Sequence, residues 1–178
     1  NNFMTIILNS EEINKCVQLD AELIPIIENA FKGLALGKVI MPPILRLDIE
    51  KYHGESDVKA AYIEGLDSYA IKVASGFFNN HKLNIPSSNG LMILIDSKTG
   101  VIKSVLLDKG YLTDVRTAIA GSIAAKYLSN SESTKAGIIG AGLQARLQLE
   151  ALKLVRTIDT AFLWSRDPSK LEKFSKEI

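Results

Sequence analysis

Three basic residues sit in surroundings that are otherwise apolar or small: Arg46 in PPILRLDIE, Lys72 in YAIKVAS and Arg116 in LTDVRTAIAGS. Each offers a positive charge to an anion. Charge-assisted hydrogen bonds to a carboxylate contribute about 1.5–3 kcal/mol each, so cations that converge can hold such a ligand. Lys72 shares its strand face with Ala70 and Ala74, which leaves room for a ligand beside the long side chain. Arg116 falls in the expected first turn of a helix, where a cation opposes the dipole unless an anion compensates. A plainer reading exists for each: Lys72 and Arg46 on the solvated side of a sheet, Arg116 on a helix surface.

A second constellation is GIIGAGLQAR, Gly137 to Arg146. Gly140, Gly142 and Ala145 fill the slots of G-x-G-x-x-[GA]. The first glycine permits a tight turn, the second lets a pyrophosphate approach the backbone, and the third small residue lets helix and strand pack closely. Leu143 and Gln144 open the helix whose free N–H groups favour a phosphate. A buried-looking strand before the turn, an amphipathic helix after it and a second strand at the expected distance supply the context for a bound dinucleotide. A glycine turn used only for packing is the alternative. The second strand ends in FLWSRD, without the acid that usually accepts the ribose hydroxyls. Ser165 and Arg166 suit a 2′-phosphate instead, so NADP(H) is expected over NAD(H); Arg166 as a solvated loop residue is the alternative.

Composition excludes other chemistries. The net charge is +1 and no Lys/Arg-rich run occurs, so no nucleic-acid partner is expected. The lone Cys16 and the loop residues His53 and His81 lack metal-ligand spacing, so no metal is expected. One cysteine cannot form an internal disulfide and fits a reducing compartment. No apolar run approaches the roughly 20 residues of a membrane helix, and NNFMTIILNSEE lacks the basic start and long apolar core of a signal peptide. The expectation is a cytoplasmic protein.

The elements that must position these residues follow from periodicity. Ser10, with Glu11 and Glu12 behind it, reads as a helix cap; a second helix covers Ala21 to Leu36, with Pro25 marking a shifted start or a kink. Alternation then predicts strands through PPILRLDIE, VKAAYIEG and SYAIKVAS, with HGESD as a turn and GFFNNHKLNIPSSNG as a loop. LMILIDSKTGVIKSVLLD reads as a hairpin turning at Ser97–Gly100. A helix rich in small residues follows, with Thr113 as its cap, and the polar SNSEST places a domain boundary near Asn130. Beyond it comes β-α-β-α. The fold class is α/β: an N-terminal α+β domain over residues 1–130, then the first part of a Rossmann-type parallel sheet over 131–178. Only the opening strands of a nucleotide fold are present, so the 178 residues read as a fragment of a chain about twice as long.

Together MPPILRLDI, YAIKVASGFFNN, SSNGLMILID, GYLTDVRTAIAG and GIIGAGLQAR resemble the ornithine cyclodeaminase/μ-crystallin family, with the ectoine-utilisation cyclodeaminase-like branch as the nearest likeness. The resemblance implies an NAD(P)-dependent enzyme with a substrate and dimerisation domain and a Rossmann domain. Its substrate would be a small amino acid or its cyclic imine, its reaction hydride transfer at the α-carbon, and its assembly a homodimer. By position it implies that Arg46, Lys72 and Arg116 surround the substrate carboxylate in the cleft beside the glycine turn, with Lys72 also close to the reacting carbon as the catalytic residue. A ketimine reductase or a non-catalytic nucleotide and small-ligand carrier, both μ-crystallin-like, are the alternatives. The family's acid in the later Rossmann half has no counterpart in these residues.

Overall fold

The computed structural model describes residues 4–178; Asn1–Phe3, the start of the stretch read as lacking a signal, lie outside them. Contacts divide the chain into two compact units. One holds the residues to Val17 with Ala30–Tyr111, and the other holds Gln18–Asn29 with Leu112–Ile178.

The first unit is built on a mixed sheet. Strands β1 (Ile6–Asn9), β2 (Val39–Ile40), β3 (Leu45–Ile49), β4 (Gly54–Ile63), β5 (Ser68–Phe77), β6 (Ser88–Asp96) and β7 (Ile102–Leu107) run β1-β7-β6-β5-β4-β2. β3 also pairs with β4, alongside residues 54–58, while β2 pairs near its end. Every pairing is antiparallel except β1 with β7. Helix α1 (Ser10–Cys16) is capped one residue earlier than expected. The Asn9 side chain accepts from the N–H groups of Glu11 and Glu12, and the Glu12 carboxylate accepts from the Asn9 N–H at 2.8 Å. An amide oxygen at Asn9 completes this reciprocal box, so Ser10 becomes the first helical residue.

HGESD is mostly strand rather than turn. A 3-10 turn over Glu50–Tyr52 ends at His53 in the left-handed region (φ 50°), which completes the reversal and frees Gly54–Asp57 to pair with β3. The expected loop after SYAIKVAS also shrinks: Gly76 and Phe77 continue β5, and β6 begins at Ser88. The SKTG turn stands as expected. Asp96 Oδ1 accepts from Lys98 N, Thr99 N and Thr99 Oγ1, and Gly100 takes φ 73°.

The second unit packs helices on a two-stranded parallel sheet, β8 (Lys135–Ile139) with β9 (Thr160–Trp164) in register from Lys135↔Thr160 to Ile139↔Trp164. α4 (Leu143–Lys153) joins the strands and α5 (Pro168–Glu177) follows them. This is the β-α-β-α order expected of a Rossmann opening. Helix α3 (Tyr111–Leu128) starts two residues before the expected cap. Lys109 (φ 55°) and Gly110 (φ 92°) make the reversal. Thr113 therefore lies inside the helix, and Arg116 stands in the second turn rather than the first. Helix α2 (Leu23–Ala35) carries Pro25 at its third position, within the first turn where no N–H partner is lost, so no kink is needed.

Two cores hold this unit. Ile24 of α2 packs with Ala118, Ile119 and Ile123 of α3 and Ala151 of α4. Phe174 of α5, fully buried, packs with Ala136, Ala141 and Leu149. The small residues of α3 serve close approach: a Cβ on Gly121 would strike the Gln148 side chain of α4. Among the described residues no helix is long and apolar enough to cross a membrane.

Candidate substrate face and glycine-turn pocket

Register decides which side chains share a face. Arg46 of β3 is level with Asp57 of β4, which is level with Ala74 of β5 and, through it, Gly90 of β6. Two residues along, Lys59 is level with Lys72 and Lys72 with Met92. Side chains at positions i and i+2 project to the same side, so one face gathers Arg46, Asp48, Glu55, Asp57, Lys59 and Lys72 beside Ala70, Ala74 and Gly90. Arg46 and Lys72 are thereby brought onto one face of one sheet, with Asp57 and Lys59 of β4 between them and the small residues Ala70, Ala74 and Gly90 on the Lys72 side.

The charges on this face are arranged in pairs. Arg46 donates from Nε to Asp48 at 2.9 Å and from Nη2 to Glu55 at 2.5 Å. The Asp48 carboxylate, first by hydrogen bond and then by charge, with Glu55 behind it, raises the guanidinium further above its ordinary value. Two of the three guanidinium nitrogens, Nε and Nη2, are engaged by these carboxylates. Lys59 donates to Asp57 Oδ2 at 2.9 Å. That hydrogen bond is the main cause holding Asp57 below the usual carboxylate range, with the charges of Lys59, Arg46 and Lys72 adding to it against the opposing effect of burial. Asp57 Oδ1 is buried and accepts no hydrogen bond. Asp57 is the anionic hub between the two predicted cations, and sequence reading passed over it because HGESD was taken for a turn. The signal was present in Glu55, Asp57 and Lys59, which alternate into VKAAYIEG. Among the described residues no group of three or more His, Cys, Asp or Glu side chains could hold a metal.

The glycine turn lies in the other unit. Gly140 has φ 114° and donates its N–H to the Trp164 carbonyl at 2.7 Å, tying the end of β8 to the end of β9. Gly142 caps α4 with φ −89° and no side-chain cap bond. A Cβ at either glycine would meet only open space. Small-molecule pockets measure about 300–1,000 Å³; this cavity measures about 630 Å³ and is lined by Ile139–Gly142 and by Trp164, Ser165, Arg166, Asp167 and Lys170. The residues present therefore fit a dinucleotide: backbone N–H groups and open glycine surface at one end, a hydroxyl and two cations at the other. Ser165 Oγ accepts from Asp167 N at 3.2 Å, so its own proton remains to be donated. Asp167 caps α5, accepting from Ser169 N and Lys170 N.

The other predicted residues are placed differently. Leu143, Gln144 and Ala145 do not line the cavity. Ala145 packs against the core around Phe174, as the third slot of the motif requires. Gln144 donates to the carboxylate and the backbone carbonyl of Asp114 on α3, and Gln148 donates to the Thr117 carbonyl, so one face of α4 is fastened to α3. Arg116 is exposed on α3. Lys170 was missed because a lysine in the first turn of a solvated helix carries no motif.

The sequence is matched over residues 4–178 by the model of the ornithine cyclodeaminase/mu-crystallin family. An uncharacterized cyclodeaminase of Sinorhizobium fredii is 51% identical over 173 residues, 97% of this chain and 52% of that protein. The structure of Thermococcus litoralis Δ1-pyrroline-2-carboxylate reductase in complex with NADH and L-proline superposes with a TM-score of 0.91 at 34% identity, over 97% of this chain and 53% of that one. An archaeal alanine dehydrogenase dimer with bound NAD gives 0.89 at 33% identity, over 97% and 52%. The chain thus spans about half the length of the curated relatives it matches. With the mixed sheet, the glycine turn and this match over nearly every residue, the chain belongs to the ornithine cyclodeaminase/mu-crystallin family.

Proposed function

We propose that the protein is an NAD(P)-dependent enzyme that acts on a small amino acid or its cyclic imine by hydride transfer at the α-carbon. The observation that carries this is the pairing of two sites in one chain: a sheet face that gathers Arg46 and Lys72 around Asp57, with Ala70 and Ala74 leaving room beside Lys72, and an open glycine turn with a cavity. The family and its relatives with bound NAD(H) support the same reading. The nicotinamide, when bound, supplies or accepts the hydride.

Within this proposal Arg46 and Lys72 bind the substrate carboxylate, and Arg116 joins them. Lys72 is the catalytic residue and holds or moves a proton beside the reacting carbon, since an ammonium on a long stem changes protonation readily when a site closes around it. Asp57 keeps the two sheet cations oriented. Gly140, Gly142, Leu143, Gln144 and Ala145 form the cofactor turn, the two glycines presenting backbone to the pyrophosphate, Leu143 opening α4, and Gln144 and Ala145 fixing that helix. Ser165 and Arg166 favour NADP(H) over NAD(H). Residues 1–130 serve substrate binding and dimerisation, and the dinucleotide-binding part begins at 131. A homodimer fits the sheet's other face, where Leu45 and Leu47 are each 55% exposed, an apolar surface of the kind a partner covers.

The likeness to the Thermococcus reductase, whose complex contains NADH and L-proline, supports a cyclic imine as one substrate to test. The test is turnover of Δ1-pyrroline-2-carboxylate, alanine and ornithine, each with NAD(H) and NADP(H), by wild type and Lys72→Ala. The proposal requires turnover of at least one substrate by wild type and its loss in the variant. Tight cofactor binding without turnover of any amino acid or imine would favour a ligand carrier instead.

A further inference from the structure

The glycine-turn cavity contains a charge that its reading as an NADP(H) site leaves unexplained. Asp167 stands directly after Ser165 and Arg166 and lines the same cavity. Its Oδ1 is fully used by its own helix, accepting from Ser169 N at 3.0 Å, Ser169 Oγ at 2.7 Å and Lys170 N at 3.3 Å. These bonds, led by that of Ser169 Oγ, hold the carboxylate ionised below its usual range. A fixed negative charge beside Arg166 cancels much of what one guanidinium offers to a 2′-phosphate. Like-charge juxtaposition is a common means of rejecting a wrong ligand, and on those two residues alone the cavity would discriminate weakly.

Lys170 changes this balance. Its ammonium lies 3.8 Å from Asp167 Oδ2, the oxygen turned away from the cap, and its side chain is 69% exposed at the cavity wall. We infer that Lys170 is a specificity-determining residue: it neutralises the capping carboxylate of Asp167 and, with Arg166 and Ser165, completes a subsite for the 2′-phosphate of an adenine dinucleotide. This inference rests on the reading of the cavity as a dinucleotide site. Asp167 then serves the fold alone, as the cap of α5, while the net charge facing the ligand becomes positive. As a surface ion pair three residues apart on a helix, Lys170 and Asp167 would contribute little to stability, so a purely structural role and a ligand-reading role give different outcomes.

Calorimetric titration of the full-length protein with 2′,5′-ADP and with 5′-AMP isolates the 2′-phosphate, the one group by which these probes differ. Wild type should bind 2′,5′-ADP more tightly. Lys170→Ala should weaken 2′,5′-ADP about tenfold and leave 5′-AMP within about twofold, while Lys170→Arg should retain the preference. The wild-type preference should also shrink as salt is raised, as expected for partly exposed charges. A Lys170→Ala variant with an unchanged ratio of the two affinities overturns the inference while leaving the cavity's role intact. Equal wild-type affinities overturn it together with the NADP(H) preference. Wild type binding neither probe overturns the dinucleotide reading itself. Because Lys170 is largely exposed, thermal melting of each variant should match wild type, and a variant that melts early is replaced by Lys170→Gln, whose length keeps the packing.

Discussion

Gly140 and Gly142 belong to one motif but resist substitution for different reasons, and this separates folding from binding. Gly140 has φ 114°, a backbone region essentially closed to residues with a Cβ. Alanine there imposes strain of about 1–3 kcal/mol although no atom lies in its way. It also loosens the 2.7 Å bond from its N–H to the Trp164 carbonyl. Gly142 has φ −89° and caps α4 without a side-chain bond. Alanine fits that backbone, meets open space, and should change stability by no more than about 1 kcal/mol. Its methyl group would, however, stand on the surface that a pyrophosphate must approach. Urea denaturation of the two variants should therefore show a clear loss for Gly140→Ala and little for Gly142→Ala. Titration with NADPH should show at least a tenfold weaker affinity for both. Equal stability losses would refute the backbone argument, and wild-type affinity in Gly142→Ala would refute the assignment of this turn to phosphate.

Other outcomes follow from the same structure. Phe174→Ala removes a fully buried ring and should cost about 3–5 kcal/mol, with a parallel loss of 2′,5′-ADP affinity because α5 carries the end of the cavity; an unfolding midpoint within error of wild type would contradict this. Gly90→Ala should prevent correct pairing of β5 and β6, since its Cβ would lie 2.7 Å from the Val73 carbonyl oxygen; a soluble variant with wild-type melting would show that the strands can part cheaply. Asp96 is held far below the usual carboxylate range, chiefly by Thr99 and then by Lys103. A depressed pKa adds stability that is fully present above the unfolded value near 3.8 and lost as pH falls below it. The stability difference between wild type and Asp96→Asn should thus be constant near neutrality and shrink in acid; a difference that grows in acid would reverse the sign. Arg116→Ala should raise the Michaelis constant for the carboxylate substrate about tenfold or more, and kinetics indistinguishable from wild type would return Arg116 to the helix surface.

Much of this was legible in the sequence because the relevant signals are local. Alternation in SYAIKVAS placed Lys72 on a face with alanines, and the glycine spacing with its flanking strands located the turn. What failed was local chemistry hidden by composition. HGESD is rich in turn-forming residues, yet the 3-10 turn over Glu50–Tyr52 with His53 makes the reversal, and cross-strand pairing with β3 claims the rest. That error hid Asp57, the carboxylate that organises the face. Thr113 looked like a cap because hydroxyls favour that place, but the positive φ values of Lys109 and Gly110 had already turned the chain. Register, not periodicity, revealed that Lys59 and Lys72 are level. Periodicity gives the face of a residue but not its neighbour across the ladder.

The central claim is that this protein moves a hydride to or from the α-carbon of an amino acid or imine. The direct measurement uses NADPH deuterated at the transferable C4 position, with Δ1-pyrroline-2-carboxylate as acceptor and mass spectrometry of the product. The account predicts proline carrying one deuterium at its α-carbon, formed by wild type and not by Lys72→Ala. Cofactor that stays bound and unoxidised, with no labelled product from this or any other small imino acid offered, would contradict it.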